Sequence, residues 1–218
     1  MKKTTLIIII TIFSLTAKAQ HFSITTDIGM SYLSGLYNPH TSKPQLYYGL
    51  GMLYSKSATT TNWGFKTSLD FNKRGVKSIY TGTSYSGYVE SKNILSSKSL
   101  SLTFTPTLNV SERVQFVLGP HLGYFLSSKS TTTEIVYKTS LKEEILQTVI
   151  EENTSNGISF IDRLHFGVKL GINVKVSNPI DLGLTYQYAR LLKYAHPSYR
   201  PFYNVLSITT TIYFKTRE

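Results

Sequence analysis

The amino-acid sequence predicts an all-β fold, an eight-stranded antiparallel up-and-down transmembrane β-barrel. Three observations lead to this prediction: long stretches of strict apolar–polar alternation, connections that alternate between short and long, and scarce charge beside many aromatic residues. Charged residues make up 16% of the 218-residue chain, whereas about 25% is usual in soluble domains. Aromatic residues make up 13%. This composition is typical of a protein whose outer wall faces lipid.

The alternation is clearest in LHFGVKLGINVKV, residues 164–176. Every second residue from Leu164 to Val176 is apolar, and His, Gly, Lys and Asn stand between them. A period of two indicates a β-strand with one apolar and one polar face. The pattern recurs near residues 22–32, 45–55, 63–72, 99–110, 114–126, 180–189 and 206–215. Together these stretches give eight strands, an even number as in bacterial outer-membrane barrels.

The predicted connections differ in length at the two ends of the strands. Short links fall at residues 58–62, 111–113 and 177–179, and long loops at about 33–44, 73–97, 127–159 and 194–203. Short turns at one end and long loops at the other are typical of outer-membrane barrels. The alternative fold, a soluble lipocalin-like barrel with the apolar face inward, gives no reason for this segregation.

The N-terminus has the layout of a secretory signal peptide. Lys2 and Lys3 precede an apolar stretch, and Ala17-Lys18-Ala19 forms an A-x-A cleavage site. We therefore predict a signal peptide at residues 1–19 and a barrel domain at residues 20–218, exported to the bacterial outer membrane. No later stretch is apolar for long enough to form a transmembrane helix, and the chain has no cysteine to carry a lipid.

The formal net charge of the whole chain is +11. Because the predicted protein is exported and its sequence has no basic cluster, we do not expect it to bind nucleic acid. We expect outer-membrane lipid to be its partner.

The cost of charge in lipid predicts which face points inward. Lys169 at the middle of a bilayer would cost about 2–4 kcal/mol. The polar faces are therefore expected to fill the interior, which in an eight-stranded barrel is just wide enough for side chains. Arg190 has the parity of the lipid face, so its strand should leave the hydrocarbon before this residue. The residues expected in the interior are Asp27, Lys66, Asp70, His121, Arg163, His165, Lys169, Lys175 and Asp181.

These polar residues allow two interpretations. The basic ones could form an anion path, or they could pair with the three aspartates in a plugged, non-conducting interior, which is the interpretation favoured for so small a barrel. His121 and His165 show no metal-ligand spacing and are predicted to be structural. The sequence contains no recognised catalytic motif. We therefore expect no enzymatic activity and no cofactor, with a lipid-acting enzyme kept as a further alternative.

The long loops are the expected site of binding to other envelope proteins. Tyr80, Tyr85 and Tyr88 stand among Gly, Ser and Thr, a composition suited to adaptable contacts, or they simply belong to extended strands. Residues 140–153 begin with a helical capping box but are also rich in strand formers, so helix and strand both remain open. Either structure would present an apolar stripe with Leu141, Ile145 and Val149.

The chain resembles the PorT-type, OmpA-like β-barrel family of outer-membrane proteins. The resemblance rests on LTFTPTLNV, FVLGPHLGYFL, HFGVKLGINV and LGLTYQYARLL and covers residues 21–215. It departs at the end, where Lys215-Thr216-Arg217-Glu218 follow the aromatic Phe214. The resemblance implies a structural or interaction component of the outer membrane with a link to protein secretion. The alternative function is a small-solute or anion porin.

Overall fold

The computed structural model describes residues 21–34, 41–57, 62–84, 87–137, 145–154, 163–191 and 202–214. The predicted signal peptide, Tyr85 and Leu141 lie outside the described residues. In the described part of the chain, no helix has the length and apolar character needed to cross a membrane. The described residues form ten β-strands: β1 (His21–Ser34), β2 (Thr41–Lys43), β3 (Gln45–Ser57), β4 (Trp63–Ser84), β5 (Gly87–Asn109), β6 (Val114–Tyr137), β7 (Ile145–Thr154), β8 (Leu164–Ser177), β9 (Ile180–Leu191) and β10 (Phe202–Tyr213).

Eight of these strands close into a barrel. Each pairs antiparallel with the next in the order β1, β3, β4, β5, β6, β8, β9 and β10, and β10 pairs with β1 to complete the ring. The fold class predicted from the sequence is therefore confirmed. The turns at residues 110–113 and 178–179 lie at one end of the barrel, the short-turn end. The opposite end is the long-loop end.

The barrel wall is apolar outside and polar inside. Along β5, residues of odd number from Ser97 to Thr107 are buried, whereas the even-numbered ones are exposed. Leu184 on β9 is 56% exposed and its register partner Ile208 on β10 is 55% exposed, whereas Thr185, the next residue of β9, is only 4% exposed. An apolar outer band with a polar interior is the arrangement of a membrane barrel.

Aromatic side chains line both margins of the outer band. At the short-turn end, ring centres of Phe22 and Tyr54 lie 5.6 Å apart, and those of Tyr54 and Phe65 lie 5.9 Å apart. At the long-loop end, Phe202 stacks against Tyr188 at 4.7 Å.

Arg190, on the outward face as its parity predicted, lies next to the last residue of β9. Its guanidinium carbon is 5.5 Å from the centre of the Phe202 ring. The charge therefore sits at the aromatic margin of the apolar band, where such girdles are found in membrane barrels.

The predicted loops at 73–97 and 127–159 are wrong in large part. β4 and β5 remain paired from Trp63–Leu108 to Ser84–Gly87, and β6 runs beside β5 as far as Tyr137. β2 pairs with β4 at residues 77–79, and β7 pairs with β6. We call β2, β7 and residues 75–84, 87–97 and 127–137 the projecting sheet.

The alternative left open for residues 140–153 is resolved within the described residues. Ile145–Thr154 is a strand that pairs with β6, so the helical interpretation of this part is wrong. The edge of β6, which is distant in sequence, supplies hydrogen-bond partners for the backbone N–H and C=O groups of this segment.

Candidate functional site

An open cavity of about 280 Å³ occupies the short-turn end of the barrel. At its inner side, Lys66 Nζ lies 3.8 Å from Asp181 Oδ2, and the Tyr213 hydroxyl donates to the same carboxylate oxygen at 2.7 Å. Lys56 and Lys175 are exposed at the cavity wall. Lys66, Asp181 and Tyr213 meet here because the starts of β4 and β9 and the end of β10 lie at this end. Lys56 and Lys175 lie near the ends of β3 and β8.

The middle of the interior contains a second ion pair. Lys169 Nζ lies 3.7 Å from Asp27 Oδ2, and the Thr209 hydroxyl donates to the other oxygen of Asp27. Asp70 accepts hydrogen bonds from the hydroxyls of Ser68 at 2.7 Å and Thr25 at 3.3 Å. A second, smaller cavity of about 40 Å³ lies beside these groups, which is enough for about one water molecule.

Small residues opposite large polar ones make this packing possible. Gly51 is the register partner of Asp70, and a Cβ added at Gly51 would lie 1.9 Å from Asp70 Oδ1. Gly123 is the register partner of His165, and a Cβ there would lie 2.2 Å from His165 Nε2. The glycines on the polar face therefore leave the space that the neighbouring strand's side chain fills.

The two histidines lie side by side above the ion pairs, with ring centres 5.4 Å apart. Gln187 Nε2 lies 2.6 Å from His121 Nε2, and Thr103 Oγ1 lies 3.1 Å from His121 Nδ1. These neutral partners act as structural supports for the ring. In the described ranges, no group of three His, Cys, Asp or Glu side chains could hold a metal ion.

Arg74, which the sequence analysis missed, fills the interior at the long-loop end. It is 0% exposed, and its guanidinium carbon lies 5.5 Å from the Phe125 ring centre and 5.7 Å from that of Tyr203. Nη2 donates to Ser99 Oγ at 3.3 Å and lies 3.3 Å from His165 Nε2. Within the described part of the chain, Arg74 Nε and Nη1 and His165 Nδ1 have no hydrogen-bond partner.

An apolar cluster covers Arg74. Val76, Phe125 and Tyr203 are all buried, with Leu33 and Leu95 packed against them. This cluster lies where the barrel rises into the projecting sheet, whereas Leu53 and Val117 are buried apolar side chains deeper in the barrel, at the inner cavity. We call Arg74, His165 and this cluster the upper plug.

The interior charges balance one another. Among the described interior residues, the carboxylates Asp27, Asp70 and Asp181 are matched in number by the cations Lys66, Lys169 and Arg74. Asp181 lies near Lys66 and Asp27 near Lys169, whereas no described carboxylate pairs with Arg74. The formal charges of these six side chains therefore sum to zero.

The remaining predicted site residues lie away from the middle of the barrel. Arg163 is half-buried just before β8, at the long-loop end. Tyr80 and Tyr88 lie in the projecting sheet, where the Tyr88 ring centre is 6.4 Å from that of Tyr137. Val149 is half-buried in β7. Ile145 is the first residue of the same strand.

Comparison with known proteins agrees with this architecture. Residues 18–189 match the model of the family described as outer membrane protein beta-barrel domain. No curated protein matches the sequence.

Similar solved structures include Ail, the attachment invasion locus protein of Yersinia pestis, at 13% identity and a TM-score of 0.45 over 90% of this chain and 100% of that chain. They also include the Neisserial surface protein A, at 14% identity and a TM-score of 0.42 over 88% and 97%. A third is OprG from Pseudomonas aeruginosa, at 10% identity and a TM-score of 0.29 over 90% and 95%. Because the family model matches most of the chain, this protein belongs to the outer membrane protein beta-barrel domain family and is located in the outer membrane.

Proposed function

We propose that this protein is a non-conducting barrel that serves as a structural or interaction component of the outer membrane. The observation that carries the proposal is the closure of the interior by the upper plug. Arg74 on β4 and His165 on β8 are both 0% exposed and lie 3.3 Å apart at their nearest nitrogens. A solute that entered from the short-turn end would meet these packed side chains before it reached the long-loop end.

The ion pairs support the same conclusion against an anion porin. An anion path needs cations without nearby carboxylates, whereas Lys66 and Lys169 each lie within 4 Å of an aspartate oxygen, at 3.8 Å and 3.7 Å. An eight-stranded barrel also has little lumen beyond what its side chains fill. In this proposal the side chains of the lumen therefore fill it and do not line a path for ions.

Conductance measurement tests this proposal directly. The full-length protein, folded into a planar lipid bilayer, is expected to give no reproducible single-channel steps. A known porin that is folded into the bilayer in the same way serves as the positive control. A heat-dependent shift in gel migration verifies that the barrel is folded. Regular steps from the folded protein would contradict the proposal and favour the porin alternative.

The projecting sheet is the proposed contact surface for another envelope protein, in line with the link to protein secretion that the resemblance implies. It stands beyond the apolar band and presents Tyr80 and Tyr88, both half-buried. Loop-end elements on a rigid scaffold are common sites of binding. No enzymatic step is part of this role.

Site-specific photocrosslinking tests the contact. A photoreactive phenylalanine analogue at Tyr80 or Tyr88 is expected to give a discrete crosslinked species in intact cells. The same analogue at Ser111, which is exposed in a short turn, serves as the control and should give none. Identical crosslinking patterns from the three positions would contradict an interaction role for the projecting sheet.

A further inference from the structure

Two pairs of lysines stand directly opposite each other on neighbouring strands at the long-loop end. Lys73 on β4 is the register partner of Lys98 on β5, and Lys43 on β2 is the register partner of Lys77 on β4. Opposed residues in an antiparallel sheet have Cβ atoms about 4.5–5.5 Å apart, and like charges in these positions destabilise the sheet. Folding alone therefore gives no reason for either pair.

These side chains point away from the barrel axis. Lys98 is exposed between Ser97 and Ser99, which are 3% and 0% exposed. Lys73 is more exposed than its neighbours Asn72 and Arg74, which are buried. Because register partners share a face, Lys43 and Lys77 also lie together on one face of the projecting sheet.

The first pair marks the point where the apolar band ends. Phe71 and Leu100, which are register partners, are 43% and 40% exposed, and the lysine pair follows two residues further along each strand. Tyr48 stands beside Lys73, with the lysine Nζ 5.7 Å from the ring centre. Tyrosine at the margin of an apolar band indicates headgroup depth.

No acidic residue neighbours these four lysines on the outward face of the described strands. Glu90 is bound to Lys92, with oxygen and nitrogen 3.0 Å apart. The residues beside the pairs, across the strands or two positions along them, are Thr41, Gln45, Tyr48, Phe71, Gly75, Ile79, Ile94, Ser96, Leu100 and Ser127.

We propose that the two lysine pairs bind phosphate groups of anionic lipid headgroups in the leaflet around the long-loop end. Ammonium groups on long, flexible side chains suit phosphate as point charges. The pairs are four residues apart on β4, or about 13 Å at 3.3 Å per residue, so each pair takes a separate phosphate. Bound phosphate would also offset the repulsion within each pair. This lipid site does not depend on whether the projecting sheet has a protein partner.

Native mass spectrometry of the full-length protein tests the site, with diphosphoryl lipid A as the probe in neutral phosphatidylcholine nanodiscs. The double variant Lys73→Gln/Lys98→Gln is expected to weaken lipid binding about tenfold, and so is Lys43→Gln/Lys77→Gln. Each substitution removes the attraction between a lysine ammonium group and the anionic lipid. The matched control, Lys56→Gln with Lys175→Gln, removes the same charge at the short-turn end. It should leave the affinity unchanged.

Three outcomes would overturn the proposal. The first is equal affinity of all variants, and the second is equal weakening in the control, which would indicate a general effect of net charge. The third is displacement of the lipid by millimolar inorganic pyrophosphate, which would identify free phosphate as the ligand. We expect pyrophosphate to leave the lipid bound.

A charge reversal separates binding from folding. Lys98→Glu places a carboxylate opposite Lys73, so it should raise the urea midpoint of unfolding in neutral phosphatidylcholine vesicles. The same variant should bind diphosphoryl lipid A more weakly than the wild type. If it binds the lipid as tightly as the wild type, the paired lysines are not the phosphate site.

Discussion

Arg74 is the interior residue whose burial is least compensated. Desolvating a cation costs several kcal/mol, whereas stacking on aromatic rings returns about 0.5–2 kcal/mol per contact. Phe125 and Tyr203 provide such contacts, but among the described residues neither Nε nor Nη1 has a hydrogen-bond partner. No carboxylate forms an ion pair with this guanidinium within the described strands. Arg74 therefore lowers the stability of the barrel while it fills the upper plug.

Replacing Arg74 by methionine should stabilise the protein. Arg74→Met keeps most of the volume and removes the buried charge, so we expect the free energy of unfolding to rise by about 1–4 kcal/mol. Equilibrium urea unfolding in lipid vesicles measures the change. Arg74→Ala is the matched control, because it removes the charge but leaves a cavity, and it should be less stable than Arg74→Met. If the methionine variant is less stable than the wild type, the claim that the buried charge of Arg74 destabilises the barrel is wrong.

At the scale of the element, the sequence predicted β4 only as far as Asn72, although the strand continues to Ser84. Within the membrane the outward residues are apolar and the inward ones polar. Beyond the membrane this relation reverses: Lys73 and Lys77 face outward, and Val76 is buried inward. A strand that crosses such a boundary loses its regular hydrophobic period without losing its backbone pairing. Arg74 was missed for the same reason.

β7 illustrates a different limit of sequence prediction. The capping box at Ser140 and the strand formers of residues 140–153 favoured opposite structures. Pairing with residues 129–137 of β6 decides between them within the described residues. That pairing is a contact between separate segments, which local propensity does not contain.

β8 offers a direct test of which face meets lipid. The chain has no native cysteine, so single cysteines can carry an environment-sensitive dye at Leu170, which is 45% exposed, or at Asn173, which is 9% exposed. A bilayer-buried quencher should quench the dye at Leu170 and spare the dye at Asn173, because residues three apart on a strand face opposite sides. Equal quenching at both positions, or quenching only at Asn173, would contradict the lipid-facing assignment of the apolar band.

For the whole molecule, the strand number, the closed architecture and the inward-facing positions of Asp27, Asp70 and Lys169 follow from a period of two and the lengths of the connections. The same patterns do not predict which charged side chains form ion pairs, because that depends on the stagger between strands. Lys169 meets Asp27 across the lumen from β8 to β1, strands that are not neighbours in the ring. No spacing in the sequence encodes such a contact.

The closure that we propose for the interior depends on the whole barrel, because it requires two separate barriers in series. Lys66 and Asn173 line both the cavity at the short-turn end and the small inner cavity, so they separate the two spaces. The upper plug lies between the inner cavity and the long-loop end, and we propose that it is the second barrier. Removing either barrier alone should leave the barrel silent in conductance measurements.

The triple variant Lys66→Ala/Arg74→Ala/Phe125→Ala removes side chains from both barriers and should conduct. Its interior keeps the three carboxylates but only Lys169 as a cation, so the excess negative charge should make the channel cation-selective. Planar-bilayer recording with a salt gradient gives both the conductance and the sign of the reversal potential.

A control with three alanines on the lipid face should stay silent, since those side chains lie outside the lumen: Leu170, Leu184 and Ile208. A silent triple variant that still shows the heat-dependent gel shift of a folded barrel would mean that other side chains close the lumen. An anion-selective one would contradict the charge balance assigned to the interior.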